Sequence, residues 1–232
     1  MVKEFIKWLY PDKCASCGKL MDIHKNEWLC RNCKDAFTEI SGPVCKKCGA
    51  FHCCCPKGKS FYFNKNISFF LYDENMRKAI HNFKYGKKLS QGRALGKLMA
   101  DSLIKANIDL KDYDYILPVP IHKERLRERG FNQSEILAME ISEKTKIPLN
   151  TKIVKRIKDT IPQSTLSYEG RVRNVKNSFK ISKANYVCNR NIILIDDIFT
   201  TGSTVDAVSK ALKEEGASKI LSLTLSIAEK HS

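Results

Sequence analysis

The apolar positions of this chain fall into two regimes: regular spacing over most of the stretch after Ile67, and none before residue 60. Ile67–Tyr72 is a short, aromatic-rich apolar run and predicts a strand. Met76, Ala79, Ile80 and Phe83 follow at i, i+3, i+4 and i+7, one face of a helix that stops at Gly86. Leu95, Leu98, Met99 and Leu103 predict a second helix over Gln91–Ala106. Asp114–Val119 reads as a buried strand closed by Pro118-Val119-Pro120. Ile121–Phe131 reads as a basic loop carrying Lys123, Arg125, Arg127 and Arg129. Asn132 is the expected N-cap of a helix that runs to about Lys146, ahead of Pro148.

Further along, Ile153–Arg156 reads as a short strand. Lys158–Asn177 is polar, basic and aperiodic, a long loop with one helical turn near Arg171 and a candidate lid. Asn191–Ile195 is a compact apolar strand, and Thr200–Thr204 turns the chain. Thr204–Glu215 forms a helix with Val205, Val208 and Leu212 on one face and Gly216 as its C-cap. Lys219–Ala228 supplies a last strand. Strands that alternate with helices predict an α/β fold with a mostly parallel sheet covered on both faces.

Residues 1–60 need a different organiser. Nine of the ten cysteines lie between Cys14 and Cys55, interspersed with glycine and proline, and the tenth is Cys188. So irregular a stretch cannot build a sizeable core by itself, and metal has to order it. Cys14-x-x-Cys17 and Cys30-x-x-Cys33, twelve residues apart, make two knuckles that aim four thiolates at one point, the pattern of a structural zinc ribbon. A full sulfur shell leaves no open position for catalysis. Cys45-x-x-Cys48 repeats the knuckle, with partners to be drawn from Cys53, Cys54 and Cys55. Cys53 and Cys55 are the favoured pair, Cys54 can replace one of them, and His52 is a further candidate ligand. The domain division expected is a cysteine-rich unit over 1–60 and an enzyme-sized unit over 61–232.

The start of the chain has only a short apolar cluster broken by Lys7, without the h-region and cleavage site of a signal peptide, and no run of about 18 apolar residues occurs. Paired cysteines in such a chain point to metal sites and a cytoplasmic location. The net charge of +16 favours polyanionic partners. Asn75–Ala100 holds seven Lys or Arg and no acid, and Lys152–Arg190 holds ten against Asp159 and Glu169. Solvated surface charge explains part of this bias; nucleic-acid binding is the sharper reading.

The richest chemistry lies in Ile192–Thr204. A buried apolar strand leads into Asp196 and Asp197, and then into Thr200-Thr201-Gly202-Ser203-Thr204, which opens a helix. Backbone N–H groups and the helix dipole favour an anion there, glycine admits close approach, and the hydroxyls can donate to phosphate oxygens. The carboxylates can accept from sugar hydroxyls or hold Mg²⁺. A phosphate beside a diol is a ribose 5-phosphate. The reading requires carboxylates that are not locked in ion pairs and a turn with room for an anion.

This segment resembles the 5-phosphoribosyl-1-pyrophosphate (PRPP) motif of type I phosphoribosyltransferases. The cysteine ribbon, Phe83-Lys84-Tyr85-Gly86, Pro118-Val119-Pro120, Arg127-x-Arg129-Gly130-Phe131-Asn132-Gln133 and Gln163, Arg171 and Asn174 occur in the order of the ComF family of competence-associated proteins. The resemblance spans nearly the whole chain. It implies a type I phosphoribosyltransferase sheet, with Asp196 and Asp197 on the ribose hydroxyls and Thr200, Thr201, Gly202, Ser203 and Thr204 around the 5-phosphate. Lys84, Arg127, Arg129, Asn132 and Gln133 fall on the pyrophosphate side, and Asp196, Asp197 and Arg129 are the candidate catalytic groups. Zn²⁺ in the ribbons, Mg²⁺ with PRPP, single-stranded DNA and a DNA-uptake helicase are the implied cofactors and partners. Two functions compete: a DNA-uptake factor that binds single-stranded DNA and retains a PRPP-type site, and a working phosphoribosyltransferase for an unidentified base. A PRPP sensor without turnover is a third.

Overall fold

A computed structural model describes residues 13–22, 29–53, 55, 60–86, 89–158 and 177–228. Its described elements run α1 (Arg31–Asp35), β1 (Lys65–Leu71), α2 (Glu74–Tyr85), α3 (Leu89–Lys105), β2 (Tyr115–Pro118), α4 (Lys123–Arg129), α5 (Gln133–Thr145), β3 (Val154–Arg156), β4 (Phe179–Ile181), β5 (Asn191–Phe199), α6 (Ser203–Glu214) and β6 (Lys219–Ile227). Strands β1-β6-β5-β2 form an entirely parallel sheet, and β3 pairs with β4 in a separate antiparallel hairpin.

The apolar run in β5 is buried on both sides, as parallel strands between helices require. Ile193 and Ile195 enter one apolar layer together with Met76, Phe83, Leu95, Met99 and Leu137 of α2, α3 and α5. Ile192 and Leu194 enter the opposite layer, with Val205, Val208 and Leu212 of α6. Each of these fully buried aliphatic side chains contributes on the order of 2 kcal/mol from burial. The cysteine-rich segment is divided between the layers. Cys14, Ala15, Leu29 and Phe37 join the first, while Cys48 and Ala50 join the second, beside Phe61 and Phe63 from the start of the next unit.

Three expectations change. The basic stretch Ile121–Phe131 contains helix α4, not a loop. His122 caps its start, Glu124 stands in its first turn and pairs with Arg127, and Gly130 ends it at φ 84°, where side-chain-bearing residues are strained. The strand expected to stop at Ile195 continues as β5 to Phe199, because β6 pairs with it through Thr224, Ser226 and Ile227. Strand β4 was not foreseen; its partner β3 supplies the hydrogen bonds its short sequence could not advertise. The long polar loop, with Gln163, Arg171 and Asn174, lies outside the described residues apart from its ends.

Candidate functional site

Strand β5 carries Asp196 and Asp197 toward the carboxyl end of the sheet, where three other elements meet them. From α5, the Ser134 hydroxyl donates to Asp196 Oδ1 at 2.9 Å, and the Asp197 amide donates to the same oxygen at 2.9 Å. From α2, Lys84 forms an ion pair with Asp197 Oδ2. From α4, Arg129 contributes a second positive charge near Asp197. Burial pushes the Asp196 carboxyl up to about 7, and the neighbouring Asp197 charge adds to the effect. Burial also opposes ionisation of Asp197, but Lys84 and then Arg129 outweigh it and hold this carboxyl below the usual carboxylate range. The pair is therefore asymmetric: Asp197 is ionised and Asp196 can exchange a proton near neutrality.

Arg129 is held by two contacts. Its Nη1 donates to Gln133 Oε1 at 3.0 Å, and its guanidinium lies over the Tyr85 ring, 5.5 Å from the centroid. Among the described residues, its buried Nε and the buried Nε2 of Gln133 have no hydrogen-bond partner. Two unpaired buried donors beside a carboxylate pair are costly unless an acceptor arrives, which is the setting for an anionic ligand. Arg127 is not drawn into this cluster; its side chain is 74% exposed and Nη1 bonds to Glu124 at 3.0 Å. Asn132 is buried and used locally, capping α5 through Ser134 N and donating to the Val119 carbonyl. It shapes the turn rather than presenting a free group.

The hydroxyl turn follows β5. Gly202 is the N-cap of α6 at φ 73°, and no side chain caps the helix. Thr201 Oγ1 donates to Ser203 Oγ at 2.9 Å and accepts from Ser203 N at 3.3 Å, so these buried hydroxyls are satisfied by each other. Thr200 and Thr204 are half-buried. Both conditions that weigh against an open cradle are thus partly met: Asp197 carries an ion pair and the central turn hydroxyls are paired. Yet the ion-pair partner, Lys84, is itself one of the predicted ligand groups. Ser134 and Tyr85 are the groups that residue-by-residue reading gave no role; Ser134 follows one recognised motif and Tyr85 lies within another, but only the folded arrangement gives each its part.

The sulfur clusters are compact. Cys14, Cys17, Cys30 and Cys33 bring their Sγ atoms within 4.8 Å of one another, and so do Cys45, Cys48, Cys53 and Cys55. Zinc in tetrahedral sulfur coordination has S···S edges of about 3.8 Å, from Zn–S bonds of about 2.3 Å. Cys17 to Cys30 and Cys45 to Cys55 are both 3.8 Å apart. Cys14 Sγ accepts from Cys30 N at 3.4 Å and Cys53 Sγ from Cys55 N at 3.4 Å, as thiolates do. Burial and then the surrounding thiols push Cys33 up to about 12, whereas at Cys14 burial is outweighed by hydrogen bonds from neighbouring backbone groups, which bring it down to about 7. Both donor sets fit Zn²⁺. The favoured second set, Cys53 and Cys55 with Cys45 and Cys48, is the one assembled; Cys54 lies outside the described residues.

Sequence comparison gives the context. Residues 5–60 match the double zinc ribbon domain family, and residues 131–231 match the phosphoribosyl transferase domain family. The chain is 33% identical to competence protein F of Haemophilus influenzae over 219 residues, covering 90% of this chain and 93% of that protein. It belongs to the ComF family. Other relatives include the DNA utilization protein YhgH of Escherichia coli K12, 29% identical over 90% of this chain and 94% of that protein. Competence protein ComFC of Bacillus subtilis is 28% identical over 88% and 85%. Among solved structures, the glutamine PRPP amidotransferase of B. subtilis aligns over 61% of this chain and 30% of its own, with 17% identity and a TM-score of 0.40, too low for an argument from geometry. The ComF-family assignment thus rests on sequence, with the parallel sheet and both sulfur tetrads in accord. No helix among the described residues is long and apolar enough to cross a membrane.

Proposed function

We propose that this ComF-family protein is a cytoplasmic DNA-uptake factor that binds single-stranded DNA and a PRPP-like ligand. Residues 1–60 form its metal unit and residues 61–232 its ligand unit. The carrying observation is the asymmetric carboxylate pair at the end of β5, faced by Lys84 and by the unpaired donors of Arg129 and Gln133. On this reading Asp196 and Asp197 meet the ribose hydroxyls and Thr200–Thr204 the 5-phosphate, while Lys84, Arg129 and Gln133 meet the pyrophosphate. Mg²⁺ would arrive with the pyrophosphate and neutralise part of its charge. That the relatives are named for competence and DNA utilization supports the DNA arm.

The β3–β4 hairpin supports DNA binding independently. Lys155 and Lys180 are exposed and directly opposite each other across the strands, an arrangement that repels unless an anion lies over it. Exposed Lys152 and Lys183 extend the same charge, which suits sequence-independent contact with a phosphate backbone and hand-over from an uptake helicase.

A second reading, phosphoribosyl transfer to a base, is favoured by Asp196, whose carboxyl near 7 can exchange a proton at working pH. One titration separates the two. Mg-PRPP and labelled single-stranded DNA are added alone and together to the parent protein and to Asp197→Asn. The uptake reading expects DNA binding that falls steeply with salt and survives the substitution, with PRPP binding lost. Pyrophosphate release with one particular base, abolished by the same substitution, would establish the transferase instead. Absence of DNA binding at low salt would remove the uptake reading.

A further inference from the structure

The second sulfur tetrad shares an apolar layer with the residues that flank the hydroxyl turn. Cys48 is fully buried in the same apolar layer as Phe199, Val205 and Val208, which flank the turn. Between them Phe61 stacks on Phe63 with centroids 4.6 Å apart, and Phe199 meets both edge-on at 6.5 and 6.0 Å. Gly202 rests on this cluster: a Cβ at that position would lie 2.6 Å from Phe199 and 3.3 Å from Phe61. Polar ties run in parallel. Tyr62 N donates to Asp206 Oδ1 at 2.6 Å, in the first turn of α6. Buried Asn66 donates through Nδ2 to the Cys48 carbonyl and to Ser68 Oγ, both at 3.0 Å. Ser68 in turn bonds Thr224, which stands opposite Asp196 in the sheet.

The first tetrad is tied elsewhere. It packs into the opposite layer, and its Ser16 carbonyl accepts from Asn82 of α2 at 3.0 Å.

We infer that Asp206, Phe61 and Asn66 are positioning residues that join the second tetrad to the Thr200–Ser203 turn, so that metal held by Cys45, Cys48, Cys53 and Cys55 keeps that turn in shape for an anion. The consequence for ligand affinity rests on the proposed PRPP site; the mechanical link does not. Coupling is reciprocal in binding free energy, so a phosphate ligand on the turn also tightens metal binding at the second tetrad, by a factor of about ten at ordinary coupling strength, which is read as slower metal loss when metal association is unchanged.

The experiment uses the full zinc-loaded chain. Zinc transfer to a metallochromic chelator is followed with hydrogen exchange of residues 199–206, and Cys53→Ser identifies the phase that belongs to the second tetrad. Asp206→Ala should speed that phase about tenfold and unprotect 199–206 while leaving the other phase unchanged. Asp206→Asn, which keeps an oxygen for Tyr62 N, should restore both. Should Asp206→Ala fold poorly, Phe61→Leu takes its place, with the same expected selectivity. Equal acceleration of both phases, or of neither, overturns the link. In the parent protein, saturating Mg-PRPP should slow only the Cys53-dependent phase; binding without any slowing also overturns it. If PRPP does not bind while Asp206→Ala still releases the second metal selectively, the link stands and the PRPP reading falls.

Discussion

Two crowded anionic clusters, the sulfur tetrads and the carboxylate pair, solve the same electrostatic problem differently. In the tetrads the ligands come from two short knuckles each, within 4.8 Å of one another, a donor set that a divalent cation such as Zn²⁺ would balance. At the carboxylate pair the balance comes from the chain itself: Lys84 from α2, Arg129 from α4, and a proton retained by Asp196. The first arrangement is local and closed. The second is long-range and leaves donors of Arg129 and Gln133 unpaired, so it is the one equipped to take a ligand.

The largest effect should come from the closed clusters. A structural zinc carries a binding free energy on the order of 10 kcal/mol. Cys30→Ser should therefore lower metal content by one zinc per chain and abolish or sharply lower the thermal transition, read by metal analysis and calorimetry. A variant with normal metal content and melting would break the contrast. Next, Lys84→Met strands the Asp197 charge beneath the surface and should cost about 3 kcal/mol, at the low end for a disrupted buried pair, measured by urea unfolding. Little change would mean that Arg129 alone balances Asp197.

The pH dependence sharpens the comparison further. Asp196 titrates at about 7 in the folded protein against an ordinary value of 3.8. Between those values the folded state binds more protons than the unfolded chain, so stability falls as pH rises through this window. The slope approaches about 1.4 kcal/mol per pH unit where the two states differ by one proton. Asp196→Asn should flatten the slope and stabilise the protein above pH 7, while Asp197, held low, acts in the opposite sense and loses its stabilising effect only in acid. Denaturation curves over about pH 5 to 8 test this; an unchanged slope would show that Asp196 is not the group retaining the proton. The smallest effect is expected at Arg127. Its exposed pair with Glu124 makes Arg127→Ala neutral within about 0.5 kcal/mol and without consequence for PRPP affinity. Arg129→Ala should weaken PRPP binding, measured alongside by calorimetry.

How far the sequence carried varied with the range of the interactions. Helix α2 was legible from Met76, Ala79, Ile80 and Phe83, all buried, and helix α5 from its cap Asn132. Helix α4 was not, because four cations in eleven residues hide a seven-residue helix whose only signals are its caps, His122 and Gly130. Strand β4 gave no signal because three residues acquire strand geometry only from β3.

By itself the sequence determined the alternating strand–helix order, the ligands of the first tetrad and the segment that carries the carboxylates and hydroxyls, since these depend on neighbours a few residues away; the choice of Cys53 and Cys55 in the second tetrad came from the folded arrangement. Tertiary structure decided which cations reach the pair: Lys84 and Arg129 do, whereas Arg127, two residues from Arg129, is turned to solvent. It also decided that the two tetrads pack into opposite apolar layers of one sheet. Charge on a short helix is a composition; which charge meets a carboxylate is set by helix phase and by packing against elements dozens of residues distant.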